Sequence, residues 1–192
     1  MNNKKMQTIN ETIFKKFPDL ESERLFFKEY QKEDAKSLLY IRSHAQVSKY
    51  MDSKIPQIIE DSEKKIGDLQ QAFNEGKGIT WAIRDKATNS LIGDFGICKL
   101  DRQNFRGEIG YVLNPDYWGK GYMKESMITL MKFAFNTLKL HSLEANVNPE
   151  NENSKKALLK LNFRKEGYFR ENYFFNGKFL DSEIYSLLKT DR

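Results

Sequence analysis

A strand, a turn and a helix follow one another between residues 108 and 138, and this succession constrains the fold more than any other feature of the chain. Residues 108–113 (EIGYVL) are rich in β-branched, aromatic and apolar side chains, which predicts a strand. Asn-Pro-Asp at 114–116 predicts a turn. Apolar residues then recur at helical spacing from 127 to 138, so we expect a helix that begins near Gly121.

Two glycines, Gly119 and Gly121, lie where this strand leads into the helix. Residues without a Cβ let backbone N–H groups approach a ligand closely, and a helix N-terminus offers unpaired donors and a partial positive charge. We therefore expect a phosphate or pyrophosphate site here. A turn that binds no ligand is the alternative, because Tyr122 and Lys124 occupy positions where the two common phosphate motifs require lysine and glycine.

The composition indicates one packed domain over residues 1–192, in which residues 1–20 form a loose arm or a short helix. Hydrophobic residues make up 39% of the chain and aromatic residues 13%, enough for one sizeable core. No apolar run approaches the roughly 20 residues of a membrane span, and the N-terminus lacks the apolar region of a signal peptide. The single cysteine, Cys98, cannot form an internal disulfide, so we expect a cytoplasmic protein.

Metal and nucleic-acid chemistry find little support in the sequence. His44 and His141 are the only histidines and have no partner carboxylate at a suitable spacing, so no catalytic metal is expected. Cys98 lies in an apolar strand without an activating partner, and we expect it to be buried and inert. The net charge of +5 comes from scattered lysines, which indicates a solvated surface and no direct contact with nucleic acid.

The remaining patterns predict an α/β domain with a mixed sheet, in the order β-α-α-β-β-β-α-β-α-β-β. The two last strands flank Asn176-Gly177, a strong hairpin signal because both turn positions need positive φ. Strands are expected at 24–30, 79–84, 90–100, 108–113, 142–147, 168–175 and 178–188, and helices at 33–43, 60–74, 121–138 and 150–160.

Several segments together resemble the GNAT superfamily of acyl-CoA-dependent N-acyltransferases, and within it the RimJ/RimL branch of ribosomal-protein N-terminal alanine acetyltransferases. The superfamily pattern is Gln/Arg-x-x-Gly-x-Gly/Ala at a helix start, and residues 118–123 read Trp-Gly-Lys-Gly-Tyr-Met. The resemblance implies a central mixed, largely antiparallel sheet flanked by helices, with a C-terminal β-hairpin. The other segments that carry it are 20–25 (LESERL), 108–111 (EIGY), 117–122 (YWGKGY), 151–154 (NENS), 161–163 (LNF), 176–181 (NGKFLD) and 185–188 (YSLL).

The glycine junction and this resemblance together imply acetyl-CoA as co-substrate, direct transfer of its acetyl group to a primary amine, and no metal. Pantetheine is expected along the end of the strand and the pyrophosphate on backbone N–H groups of the loop. The residues assigned to acetyl-CoA are Val112, Leu113, Trp118, Gly119, Lys120, Gly121, Tyr122, Met123, Lys124 and Asn151.

Four departures from the family pattern affect the predicted site. Trp118 replaces Gln/Arg, and Met123 replaces the final Gly/Ala, although a Met side chain can point away from the loop. Asn162 replaces a glycine, and asparagine tolerates left-handed φ well enough to end a helix. Leu158 lies where many relatives carry a tyrosine that protonates the departing thiolate. Ser154 is the expected substitute, with a helix-capping serine as the alternative.

Glu108 is the predicted base, acting directly or through water, because it starts the strand that leads to the loop. The attacking amine must be neutral, and its ordinary pKa is near 8 for an α-amine or 10.4 for a lysine-like amine. The alternative is a structural carboxylate paired with Arg106. Trp81 is expected in the core, with a place in the acceptor pocket as the alternative.

The resemblance favours a protein N-terminal α-amine, of a ribosomal protein for example, as the acceptor, which is an analogy and not a site argument. A small-amine acetyltransferase acting on a polyamine, an amino acid or a drug stays open. So does a non-catalytic acyl-CoA-binding module, which Leu158 would support. No membrane partner is expected, and both a monomer and a homo-oligomer are compatible with the sequence.

Overall fold

The computed structural model describes residues 8–191, which form an eight-stranded sheet in the order β1-β2-β3-β4-β5-β6-β8-β7, with helices packed on both faces. The strands are β1 (Leu20–Glu21), β2 (Leu25–Lys28), β3 (Ile79–Asp85), β4 (Leu91–Asp101), β5 (Arg106–Leu113), β6 (Ser142–Val147), β7 (Arg164–Phe175) and β8 (Lys178–Leu188). The helices are α1 (Ala35–Ser43), α2 (Ala45–Ser48), α3 (Ile59–Asn74), α4 (Tyr122–Lys132) and α5 (Glu152–Leu159).

The sheet is mixed and largely antiparallel, as predicted. Among the described strands, β5 and β6 form the one parallel pair, and their pairing runs only from Arg106–Ser142 to Glu108–Glu144. Beyond that level β5 continues to Leu113 and β6 to Val147 without pairing with each other. The sheet therefore opens between the carboxyl-terminal ends of its two central strands.

A β-bulge in β4 lies at the level where this opening begins. Ile97 pairs with Ile109 and Lys99 with Glu108, so Cys98 is the extra residue of the bulge. A bulge bends its strand and increases the local twist. The bend in β4 therefore accompanies the departure of β5 from β6.

Two apolar clusters cover the two faces of the sheet. The larger cluster joins α4 to the sheet and contains Trp81, which is fully buried, packs edge-on against Phe133 and donates its indole N–H to the Pro18 carbonyl at 2.7 Å. The smaller cluster joins α1 and α3 to Ala82 and Leu91. Trp81 is thus a core residue, and the alternative of an acceptor-pocket residue is wrong.

The described part of the N-terminal segment forms the short helix, and not the loose arm, of the two predicted alternatives. A 3-10 helix spans Glu11–Lys15 and is capped by the Asn10 side chain. Ile9 and Ile13 are buried in the larger cluster, and the Asn10 N–H donates to the Leu138 carbonyl at 3.0 Å. Residues 1–7 of the predicted arm lie outside the described residues.

Three predicted left-handed positions are confirmed. Asn176 and Gly177 have φ values of 48° and 77°, as a hairpin turn of this kind requires. Asn162 has a φ of 66°. The Asn162 N–H donates to the Leu159 carbonyl, and the Phe163 N–H donates to the Leu158 carbonyl. These two bonds form a Schellman motif that ends α5.

The sequence prediction missed β1 and α2, each too short to show a period. It also merged α4 with a π-helical turn at Phe133–Thr137, which continues the same apolar face. Within residues 8–191, no helix is both long and apolar enough to cross a membrane.

Candidate active site

The opening between β5 and β6 is bounded by a glycine loop on one side and by the start of α5 on the other. Residues 109–113 of β5 pair with β4, while their opposite edge has no strand partner among the described residues. Backbone N–H and C=O groups along such an edge remain available to a ligand. The edge leads directly into the loop at 114–121.

The two glycines of the loop have left-handed backbone conformations. Gly119 and Gly121 adopt φ values of 72° and 82°, a region that side chains disfavour. No described atom lies within 4 Å of a Cβ built on Gly119, and the nearest to one on Gly121 is Arg24 Nη2 at 3.5 Å. The space in front of the two glycines is therefore open beside the N-terminus of α4, which suits a phosphate.

Side chains on both sides of the glycines hold the loop in place. Trp118 donates its indole N–H to the Leu113 carbonyl at 2.8 Å, and Lys120 Nζ donates to the Asp116 carbonyl at 2.7 Å. The Tyr122 hydroxyl donates to Asp85 at 3.1 Å. Met123 packs against the core, so its side chain points away from the loop as predicted.

An ion pair that the sequence analysis missed ties the first strands to this loop. The Glu125 carboxylate accepts hydrogen bonds from Ser22 Oγ at 2.6 Å, Arg24 N at 2.8 Å and Arg24 Nε at 2.7 Å. Arg24 Nη1 donates to the Lys120 carbonyl at 3.1 Å, and its guanidinium lies 4.2 Å from the centre of the Tyr122 ring. We call Ser22, Arg24 and Glu125 the loop clamp.

Glu108 lies at the last paired position of β5 with β6, where the opening begins. Its side chain is three-quarters buried and accepts from Lys99 Nζ at 2.8 Å. Arg106, the partner considered from the sequence, instead faces Asp101 at 3.2 Å and Glu144 at 3.6 Å. Lys99 is 75% exposed, and a pair with one exposed member is weak enough to be displaced by a ligand.

Ser154 lies across the opening, in the first turn of α5. The helix cap is Asn151, whose side chain accepts from the Ser154 N–H at 3.1 Å, so the Ser154 hydroxyl is not the cap. That hydroxyl instead lies 2.6 Å from the Tyr111 hydroxyl of β5. Leu158 is fully buried in the core. The sequence analysis did not detect this contact.

Tyr111 combines a partly buried ring with a polar tip at the opening. Its ring stacks on Phe95, with centres 5.7 Å apart and planes 13° from parallel. Burial raises the pKa of Tyr111 to about 12, while the Ser154 hydrogen bond acts in the opposite direction. The hydroxyl is therefore protonated throughout the physiological pH range.

Comparison with known proteins decides the family. Residues 24–164 match the acetyltransferase (GNAT) domain, which is most of the chain. The protein belongs to the GNAT family of acetyltransferases. It is 35% identical to the uncharacterised N-acetyltransferase p20 of Bacillus licheniformis over 90% of this chain and 97% of that protein. It is 32% identical to the uncharacterised N-acetyltransferase YoaA of Bacillus subtilis over 90% of this chain and 98% of that protein.

A solved structure agrees with this assignment. The crystal structure of a GNAT-family acetyltransferase from Bacillus anthracis superposes with a TM-score of 0.80 at 26% identity, covering 90% of this chain and 99% of that one. The GNAT chain described here is accordingly an acetyl-CoA-dependent N-acetyltransferase, as predicted.

Cys98 differs from the prediction in one respect, because this GNAT chain exposes it at the β4 bulge. The protein around the thiol still removes enough water to raise its pKa to about 11, and the Asp94 and Glu108 carboxylates add to the effect. The thiol is therefore protonated at neutral pH and is a poor nucleophile. Residues 8–191 hold no group of three or more His, Cys, Asp or Glu side chains suited to a metal ion.

The loop clamp predicts a pH dependence of stability. Burial alone would raise the pKa of Glu125, but the hydrogen bonds from Ser22 and Arg24 outweigh it and lower the pKa. A depressed carboxyl pKa contributes stability that is present above its unfolded value, near pH 4.3, and is lost as the pH falls toward the folded value. We expect Glu125→Gln to lower the free energy of unfolding at neutral pH by about 1–3 kcal/mol and to weaken its acid dependence.

Urea unfolding at several pH values between neutrality and about pH 3.5 measures the free energy of unfolding, with the same linear extrapolation applied at each pH. Glu21→Gln is the matched control, because Glu21 is 70% exposed and pairs with Lys86 at 3.2 Å. An equal loss of stability in both variants would show that the clamp adds nothing beyond a surface ion pair.

Proposed function

We propose that this N-acetyltransferase acetylates the N-terminal α-amine of a protein, with ribosomal proteins as the favoured class of acceptor. The observation that carries the proposal is the pairing of acidic side chains around the opening. Glu108 pairs with Lys99, Glu144 with Arg106, and Asp94 with both Arg42 at 2.9 Å and the Tyr30 hydroxyl at 3.0 Å. A polyamine carries several ammonium groups and needs several available carboxylates, whereas a single α-amine needs only one, Glu108, which it displaces from Lys99.

Two relatives correspond to the two acceptor classes. The chain is 25% identical to the [ribosomal protein uS5]-alanine N-acetyltransferase of Escherichia coli over 67% of each protein. It is 23% identical to the spermidine N(1)-acetyltransferase of Vibrio cholerae over 56% of this chain and 62% of that protein. The longer and slightly closer match supports the protein acceptor, in agreement with the paired acids.

Acetyl-CoA would occupy the opening as follows. Its pyrophosphate accepts hydrogen bonds from N–H groups between Gly119 and Lys124, where no Cβ closes the space. Pantetheine runs along the free edge of β5 near Val112 and Leu113. The thioester then reaches the level where Glu108 of β5 and Ser154 of α5 lie on the two sides of the opening.

The reaction is a direct transfer. Glu108 takes a proton from the ammonium form of the acceptor, directly or through water, and Lys99 moves away from it. The neutral nitrogen attacks the thioester carbonyl, the C–N bond forms, and the C–S bond breaks with its electron pair going to sulfur. Ser154 donates a hydrogen bond to that sulfur, and the second proton lost by nitrogen completes the free CoA thiol through solvent.

Gly121→Val tests the loop. A branched side chain at φ 82° is strained and fills the space proposed for the pyrophosphate, so we expect acetyl-CoA affinity to fall by tenfold or more, about 1.4 kcal/mol for each factor of ten. Calorimetry measures the affinity. Gly177→Val is the matched control, because Gly177 has a similar φ of 77° but lies in the β7–β8 turn. Unchanged affinity in a folded Gly121→Val protein would exclude the loop as the pyrophosphate site.

Glu108→Gln tests the base. The variant keeps the shape of the side chain but cannot accept the proton, so we expect the rate near neutrality to fall by about 10² or more and to recover partly at high pH, where the free amine is abundant. Rates are measured from about pH 6 to pH 10. Glu144→Gln, one strand away at the same level, is the control. A wild-type profile in Glu108→Gln would assign proton removal to another group.

The acceptor is tested with a panel of N-terminal peptides of ribosomal proteins, polyamines and free amino acids, each incubated with enzyme and acetyl-CoA. Mass spectrometry is expected to show an added acetyl group on peptide α-amines, and not on lysine side chains or spermidine. Peptides with blocked N-termini are the control. Faster acetylation of a polyamine than of any peptide would overturn the protein acceptor in favour of a small amine.

A further inference from the structure

We infer that the Tyr111 hydroxyl is a positioning group for the leaving thiolate: it donates to Ser154 Oγ and thereby leaves the serine hydrogen free to bond the sulfur of CoA. The inference rests on the proposed function in one respect, the location of the CoA sulfur in the opening between β5 and β6. Its other premises are contacts between named atoms.

The first step is the geometry of the contact. Tyr111 lies three residues beyond Glu108, the last residue of β5 that pairs with β6. Its hydroxyl nevertheless reaches α5, 2.6 Å from Ser154 Oγ, and so spans the opening. The Phe95 stack fixes the ring, and the Asn151 cap fixes the backbone of Ser154. The position of each hydroxyl is therefore fixed by a contact made elsewhere on its own residue.

The second step is the direction of the hydrogen bond. Each hydroxyl has one donor hydrogen and two acceptor lone pairs, so one of the pair donates and the other keeps its hydrogen for a third group. A phenol is a stronger acid than an aliphatic alcohol and hence the better donor. Both residues are half-buried, and Tyr111 donating to Ser154 satisfies the phenol and leaves the serine with a hydrogen to offer. The reverse direction would use that hydrogen on Tyr111.

The third step separates positioning from proton transfer. A pKa of about 12 means that a Tyr111 phenolate is unfavourable in its buried position, so Tyr111 keeps its proton during the reaction. It acts by orienting Ser154 and by making the serine a stronger donor, since hydrogen bonds in a chain polarise one another. The reaction needs no proton from Tyr111, because the thiolate becomes a thiol by taking up a proton that the amine has lost.

The experiment uses the affinity of CoA, and not turnover, as its main measurement. CoA carries a thiol that titrates, whereas acetyl-CoA has none, so their affinity ratio isolates the thiolate. Stabilising the bound thiolate by about one pKa unit makes CoA gain about tenfold over acetyl-CoA between a pH well below the pKa of the thiol and a pH well above it. Calorimetry at both pH values gives this ratio for each variant, and no acceptor is needed.

Four proteins separate the outcomes: wild type, Tyr111→Phe, Ser154→Ala and the double variant. We expect Tyr111→Phe to keep the stack on Phe95 and the affinity for acetyl-CoA, and to reduce the tenfold gain to about threefold or less. In the Ser154→Ala background the same change should have no further effect, because Tyr111 acts through Ser154. Tyr185→Phe, which removes another buried hydroxyl that donates to Glu183 at 2.8 Å, is the control and should keep the wild-type gain.

A wild-type gain in Tyr111→Phe, or additive effects of the two changes, would overturn the inference and make Tyr111 structural. Should Tyr111→Phe fail to fold, a fluorotyrosine at position 111 keeps the shape and makes the phenol a stronger donor, so the gain should increase. No change with fluorotyrosine would again overturn the role. Failure of the protein-acceptor proposal would appear only in the peptide panel and would leave this measurement intact.

Discussion

The short parallel pairing of β5 with β6 is the constraint from which the geometry of the site follows. The two strands share a ladder only as far as Glu108 and Glu144, and the β4 bulge at Cys98 bends the sheet at the same level. Had the ladder continued to Leu113, the edge that leads into the glycine loop would be paired and closed to a ligand. Because it stops, a free strand edge, a helix N-terminus and the start of α5 face a common opening.

Two long-range contacts hold the walls of this opening. The loop clamp joins Arg24 to Glu125 and to the Lys120 carbonyl, so the first strands support the loop from outside. Tyr111 and Ser154 join β5 to α5 from within. A glycine loop alone would be free to change conformation, because each glycine has a wide choice of φ. The clamp removes that freedom and leaves the N–H groups of α4 oriented before any ligand binds, which lowers the entropy cost of binding.

Local sequence signals predicted the elements and the turns well, and the contacts across the opening poorly. Gly177 and Asn162 have the left-handed φ expected of them, since turn and cap chemistry depends on a few neighbouring residues. Glu108 was assigned a possible partner two residues away, whereas its partner, Lys99, lies on another strand and depends on the register set by a bulge. No periodic pattern reveals that register. The Tyr111–Ser154 contact is likewise set by where β5 leaves β6.

The position of Leu158 bears on the role proposed for the Tyr111 and Ser154 hydroxyls. Leu158 is fully buried and packs α5 against the sheet, and its carbonyl closes the Schellman motif at Asn162. A hydroxyl in that buried position would need a partner, or it would cost about 1–3 kcal/mol. The apolar residue therefore secures the helix. In the reaction proposed above, the hydrogen bond to the departing sulfur comes from Ser154, one turn earlier, and Tyr111 of β5 supports it. That proposal assigns the stability of α5 and the chemistry at its first turn to different residues of one short helix.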